Sequence, residues 1–266
     1  TEGDRRMIIK PFIIKPFNAV HIGLFVFAAA VIMLLYFCLS RTEERTRKWV
    51  IVAICIANIV GFFIYKVALS HDADFLRING IVRFNWWNEL PLQLCNINMF
   101  LIPIGLLTGR RSITGFSFFV APLGAVMALV FPESAFCGYS LFLPRMLGFY
   151  GTHIVIFICG ISLATLGIYR PRLGDFPGIY LTLCCLAGGA HAVNLILRRT
   201  VCPFANYFYT YPADISILRL FWRWIPCPLL YLLPGLLILG AYMLTLWGTF
   251  ALCEKAGASF GKHHKK

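Results

Sequence analysis

One thiol, two imidazoles and a group of carboxamides fall inside apolar stretches of this chain, where unpartnered polar groups are costly and ionisable ones are functional suspects. The stretch LPLQLCNIN carries Gln93, Cys95, Asn96 and Asn98, MLGFYGTHIV carries Tyr150, Thr152 and His153, and HAVNLIL carries His191 and Asn194. These are the parts of covalent acyl transfer. A Cys attacks an ester, a His takes and returns its proton, and amides steady the oxyanion of the tetrahedral intermediate. A Cys near a helix start, with Pro91 at about the first position, would feel the positive end of the helix dipole, which favours thiolate. Tyr150 and His153 are three residues apart on one predicted helical face, as are His191 and Asn194, and Cys95 and Asn98.

Each member has a plainer reading. Asn and Gln in membrane helices often tie helices together, an apolar Cys is usually inert packing, and a buried His can simply be a satisfied core residue. Gly188 and Gly189, beside His191, would permit close helix approach.

What favours chemistry is a common depth, and that rests on the elements. Of the 266 residues, 59% are hydrophobic and only 13% charged, with a mean hydropathy of +0.78, so lipid rather than water is the solvent to reason in. Apolar runs near residues 20–40, 49–70, 90–108, 113–131, 146–168, 178–197 and 227–250 are each long enough to cross about 30 Å of hydrocarbon, and backbone satisfaction in lipid makes them helices. The expected fold is therefore an all-α polytopic membrane bundle of about seven helices. A basic interfacial segment (1–19) precedes the bundle (20–250), and a basic tail (251–266) follows it. The seven runs alternate in direction. The polar residues of the third, fifth and sixth then converge roughly 5–15 Å below one surface, whichever side that is.

The formal charge of +13 sits in short clusters between apolar runs, which points to lipid headgroups and excludes a nucleic-acid partner. Arg41, Arg45, Arg47, Lys48, Arg110, Arg111, Arg170 and Arg172, with the tail's Lys255, Lys262, Lys265 and Lys266, mark the richer side. The opposite loops hold Arg77, Arg83 and Arg145. The positive-inside rule thus puts the N-terminus outside and the C-terminus in the cytoplasm of a multi-pass cell-membrane protein, against the sense of Arg5, Arg6, Lys10 and Lys15. IIKPF occurs in tandem at 8–12 and 13–17 and is expected in the headgroup layer. Residues 198–226, with ANYFYTYPADISILRLFWRW, read as an aromatic interfacial anchor or as a re-entrant cover over a cavity. Asp72, Asp74, Glu89, Glu133 and Asp214 read as solvated loop charges, with Glu89 or Asp214 available to orient a His. The ten cysteines form no CxxC pair, and two of Cys137, Cys202 and Cys227 can pair if their side is oxidising. No cofactor is implied, and no metal, since the histidines lack a matched carboxylate set.

Between residues 85 and 250 the sequence resembles the bacterial YwaF-like integral membrane proteins, which are similar in turn to the eukaryotic membrane acyltransferases that remodel ether phospholipids. The likeness rests on the order and spacing of WNELPLQLCNINMFLIP, FYGTHIVIF, HAVNLIL and ANYFYTYPAD. It implies a lipid acyltransferase with Cys95 as nucleophile and His153 as its base. One departure stands out: the bacterial pattern reads LPLHLC, and Gln93 stands where it has His, which leaves His191 as another base. The sequence-based reading is acyl transfer from a phospholipid-like donor to a lysolipid or amphipathic alcohol. Cys95 and His153 are the catalytic pair, and Gln93, Asn96, Asn98, Tyr150, His191 and Asn194 bind the ester or its oxyanion. The rivals are lipid-ester hydrolysis at the same dyad and a small-molecule binding or transport module without covalent chemistry, the latter disfavoured by the lack of matched Gly/Pro-broken helix pairs.

Overall fold

A computed structural model describes residues 12–80, 82–132 and 134–263. Arg5, Arg6, Lys10, nearly all of the first IIKPF copy, Glu133, the Lys262 side chain, Lys265 and Lys266 lie outside the described residues. Two compact units divide the chain, Thr1–Ile168 and Tyr169–Lys266. No shift in composition marks the boundary.

The first unit holds α1 (Ala19–Leu39), α2 (Glu44–Ser70), a short α3 (Ala73–Ile78), α4 (Asn98–Thr108), α5 (Arg111–Val130) and α6 (Pro144–Thr165). Its centre is α6, which packs against α1, α2 and α5, while α4 packs against α2 and α5. Small residues let these helices approach. Gly160 of α6 faces the ring of Pro122 of α5, where a β-carbon would come within 2.7 Å, and Gly148 lies directly under the Tyr65 ring of α2. The tight αL turn from α4 to α5 uses Gly109 at φ 66°, a conformation that costs glycine nothing.

Among the described residues of the first unit, the buried cations are paired with carboxylates. Arg145, at the start of α6, is buried with its Nη1 3.0 Å from both oxygens of Asp72, and its guanidinium lies 4.1 Å over the Tyr139 ring. Lys66, near the end of α2, is buried and paired with Glu89 at 2.5 Å. This corrects the reading of Asp72 and Glu89 as solvated loop charges: the apolar surroundings leave each cation one carboxylate to pair with. Asp74 and Asp214 do form exposed pairs, with Arg77 and Arg219. The second IIKPF copy is pinned: the Ile14 N–H donates to the Tyr139 carbonyl at 2.9 Å, and Ile14 is fully buried.

The second unit holds α7 (Phe176–Thr200), α8 (Ser216–Trp224) and α9 (Leu233–His263), with a 3₁₀ turn at Tyr207–Tyr209. Within residues 198–226, α8 has the sequence SILRLFWRW, which puts Arg219 and Arg223 among aromatic side chains, the composition of an interfacial helix.

Among the described residues, six helical stretches are long and apolar enough to cross a membrane: Ala19–Leu39, Glu44–Ser70, Arg111–Val130, Pro144–Thr165, Leu173–Thr200 and Leu230–Ala256. The protein is an all-α polytopic membrane bundle. The expected third span differs, because α4 begins at Asn98 and not near residue 90 and has 11 residues, a rise of only about 16 Å. Pro91 cannot continue a helical ladder, and the polar Gln93, Asn96 and Asn98 compete for backbone groups, so residues 90–97 stay irregular. Irregular backbone at membrane depth is tolerated only when packed in protein or lining a cavity.

Candidate active site

Cys95 lies in the turn that leads into α4, three residues ahead of its first helical residue. The Ile97 N–H bonds the Gln93 carbonyl at 3.0 Å, and the Asn98 side-chain amide donates to the Leu94 carbonyl at 2.8 Å, which closes the turn around the thiol. The placement of Cys95 inside the first turns of a regular helix is corrected accordingly. The turn is pressed against α5 at Gly124, six residues before the helix ends at Val130, or about 9 Å along its axis.

His153 meets Cys95 there. Its Nε2 is 3.4 Å from Sγ, and its Nδ1 is 2.8 Å from the Phe149 carbonyl one turn earlier in α6. A carbonyl can only accept, so Nδ1 carries the proton and Nε2 presents its lone pair to the thiol. This is the tautomer a general base needs. The ring is buried and packed 4.6 Å from Phe149, which in turn stacks on Phe136 at 4.4 Å. Cys95 is half-buried beside the buried imidazole.

The carboxamides expected to serve the oxyanion have mixed positions. The Asn96 Oδ1 is 3.8 Å from the Cys95 sulfur, the neighbour His153 competing for the same thiol proton. Asn98 is fully buried and braces the turn, with its Oδ1 left without a hydrogen-bond partner. Gln93 caps the turn through its backbone carbonyl. Tyr150, expected to touch substrate, is buried and donates its hydroxyl to the Phe136 carbonyl at 3.0 Å, so it holds the segment before α6 in place.

His191 and Asn194 belong to the second unit, and there they organise the 207–211 turn. Asn194 accepts from the Tyr207 N–H at 2.9 Å and donates to the Tyr207 carbonyl at 2.9 Å and to the Thr210 hydroxyl at 2.8 Å. His191 bonds the same hydroxyl through Nδ1 at 3.0 Å and stacks on Tyr211. Tyr231 donates to the carbonyls of Tyr209 and Tyr211. These bonds sustain positive φ at Phe208 and Tyr209, which non-glycine residues adopt only when their surroundings insist.

Sequence reasoning missed Lys66, although a lone cation in the apolar run 49–70 is a signal by itself; it is buried near the end of α2, the helix that packs on both α4 and α6. All ten cysteines are free thiols, including Cys137, Cys202 and Cys227.

The family model of the TMEM164 family matches residues 16–246, nearly the whole chain and both units. The chain belongs to the TMEM164 family. No curated protein and no solved structure matches it. A membrane protein family agrees with the six apolar helices, and the site geometry described above is this family member's own.

Proposed function

We propose that this protein is a membrane-embedded lipid acyltransferase that works through a thioester on Cys95. The observation that carries the reading is the Cys95–His153 pair, 3.4 Å apart, with the imidazole held by Phe149 in the tautomer that accepts a proton. The resemblance of WNELPLQLCNINMFLIP and FYGTHIVIF to the bacterial YwaF-like proteins and the ether-phospholipid acyltransferases supports it.

In the proposed reaction, His153 takes the thiol proton and the sulfur attacks the carbonyl carbon of a phospholipid-like ester. The C–S bond forms, and the resulting oxyanion lies beside the turn that leads into α4. Collapse breaks the ester C–O bond, and the leaving alkoxide takes the proton from the His153 imidazolium. A lysolipid or amphipathic alcohol then gives its proton to His153 and attacks the thioester, releasing the new ester and restoring the thiol. Gln93 stands where the bacterial pattern has His, and His153 supplies the base without it. The clusters of Lys and Arg favour a cytoplasmic C-terminus and an external N-terminus.

The test is mass spectrometry of the purified protein after incubation with labelled phospholipid. An acyl adduct on the Cys95 peptide that hydroxylamine removes is the expected result, absent in Cys95→Ala. Full turnover by Cys95→Ala would end the proposal. Adding a lysolipid acceptor separates transfer from hydrolysis, since a hydrolase releases free fatty acid whether or not acceptor is present.

A further inference from the structure

We propose that Lys66, held by Glu89, is a positioning residue of the Cys95 centre: its ammonium gives the thiol turn a local positive potential, against which negative charge on the sulfur and the acyl oxygen develops. The inference rests on the acyl-transfer reading for its purpose but not for its measurement.

The geometry is specific. Lys66 sits on α2, four residues before Ser70, about 6 Å along the axis from the helix end. It is therefore near the same membrane face as Cys95. Helix α2 packs on both α4, which the thiol turn leads into, and α6, which bears His153. Glu89, its partner, closes the Trp86–Asn88 turn, and the chain runs from it through Pro91 directly to Cys95. The ion pair therefore ties the approach to the nucleophile onto α2. Phe62 and Tyr65 flank the ammonium, with ring centroids 5.2 Å and 4.8 Å away, which fixes it in a site of low dielectric, where a charge acts over a longer range than in water.

Energy argues against a purely structural role. A buried ion pair rarely stabilises a fold more than an apolar pair of the same volume, and in lipid the desolvation cost is greater still. The other charges near Cys95 are few. Helix α4 carries none, and α5 carries only Arg111, at the opposite end of the helix from Gly124. On α6, Arg145 is committed to Asp72, so among the described groups of α2, α4, α5 and α6 it is the Lys66–Glu89 pair and the His153 ring that are tied to the thiol turn.

The experiment compares modification of Cys95 by an anionic and a cationic methanethiosulfonate in the full-length protein in nanodiscs, read on the Cys95 peptide by mass. In each case the thiolate forms an S–S bond and expels a sulfinate. The ratio of the two rates reports local potential and cancels changes in accessibility. Lys66→Met is expected to lower the anionic-to-cationic ratio roughly tenfold, and Lys66→Arg to restore it to within about twofold. If Lys66→Met proves too unstable to purify, Glu89→Gln tests the same idea in reverse and should raise the ratio. An unchanged ratio in either folded variant overturns the inference. Because no substrate is used, a shifted ratio in a protein whose Cys95 never acquires an acyl group would retain the role of Lys66 while removing acyl transfer.

Discussion

Cys95 and Gly124 lie back to back: a β-carbon on Gly124 would stand 3.5 Å from both Cα and Cβ of Cys95. That is ordinary contact, so one methyl fits and a branched chain does not. Gly124→Ala should leave Cys95 labelling within about twofold of the parent, whereas Gly124→Leu should push the turn away and lower it by about tenfold or more. Thiol labelling rates at matched protein folding, judged by size-exclusion profile, check this.

Among the described residues, His153 is the one basic side chain that bonds the Cys95 thiol, by way of Nε2. His153→Gln should cut the rate of acyl-adduct formation on Cys95 by about 10²–10⁴ while leaving the bundle folded, since a missing general base costs that much. The measurement is single-turnover adduct formation by mass spectrometry. A loss smaller than about threefold would show that another group accepts the proton.

Asn194 makes three hydrogen bonds to the 207–210 turn. Asn194→Ala removes them together and leaves the backbone groups of Tyr207 without their side-chain partner, an expected loss of roughly 2–3 kcal/mol. A lowered thermal midpoint in detergent, with His191→Ala giving a smaller drop because it forfeits one bond to Thr210, is the predicted pattern.

The Arg145–Asp72 pair is nearly solvent-free on the arginine side, at 1% exposure. Asp72→Asn strands a buried cation and should cost about 3–5 kcal/mol, while the double change Asp72→Asn with Arg145→Met should recover much of it. A double-mutant cycle of unfolding midpoints reads the coupling.

The bundle was legible because apolar runs of spanning length admit few other structures in lipid. The pairing of Cys95 with His153 was legible as a depth argument, since the polar residues of separate runs fell at one level. What the sequence concealed was local and electrostatic. Helical periodicity is blind to where a helix begins, so it places Cys95 in a regular turn that Pro91 and the carboxamides prevent. Hydropathy averaging hid Lys66, one cation among apolar neighbours. Tyr150 and Asn98 share types with substrate-binding groups, yet their hydrogen bonds go to the Phe136 and Leu94 carbonyls, and only coordinates distinguish a brace from a contact. The boundary at Ile168 left no compositional trace because both units are built for the same solvent.

The seating of Ile14 against Tyr139 has a consequence for biogenesis. Its partner segment is made 125 residues later in the chain, so at ordinary translation speeds Ile14 waits roughly 6–25 s for it. During that interval the apolar helices α1, α2, α4 and α5 are synthesised, so Ile14 takes its seat only after most of the first unit has been made.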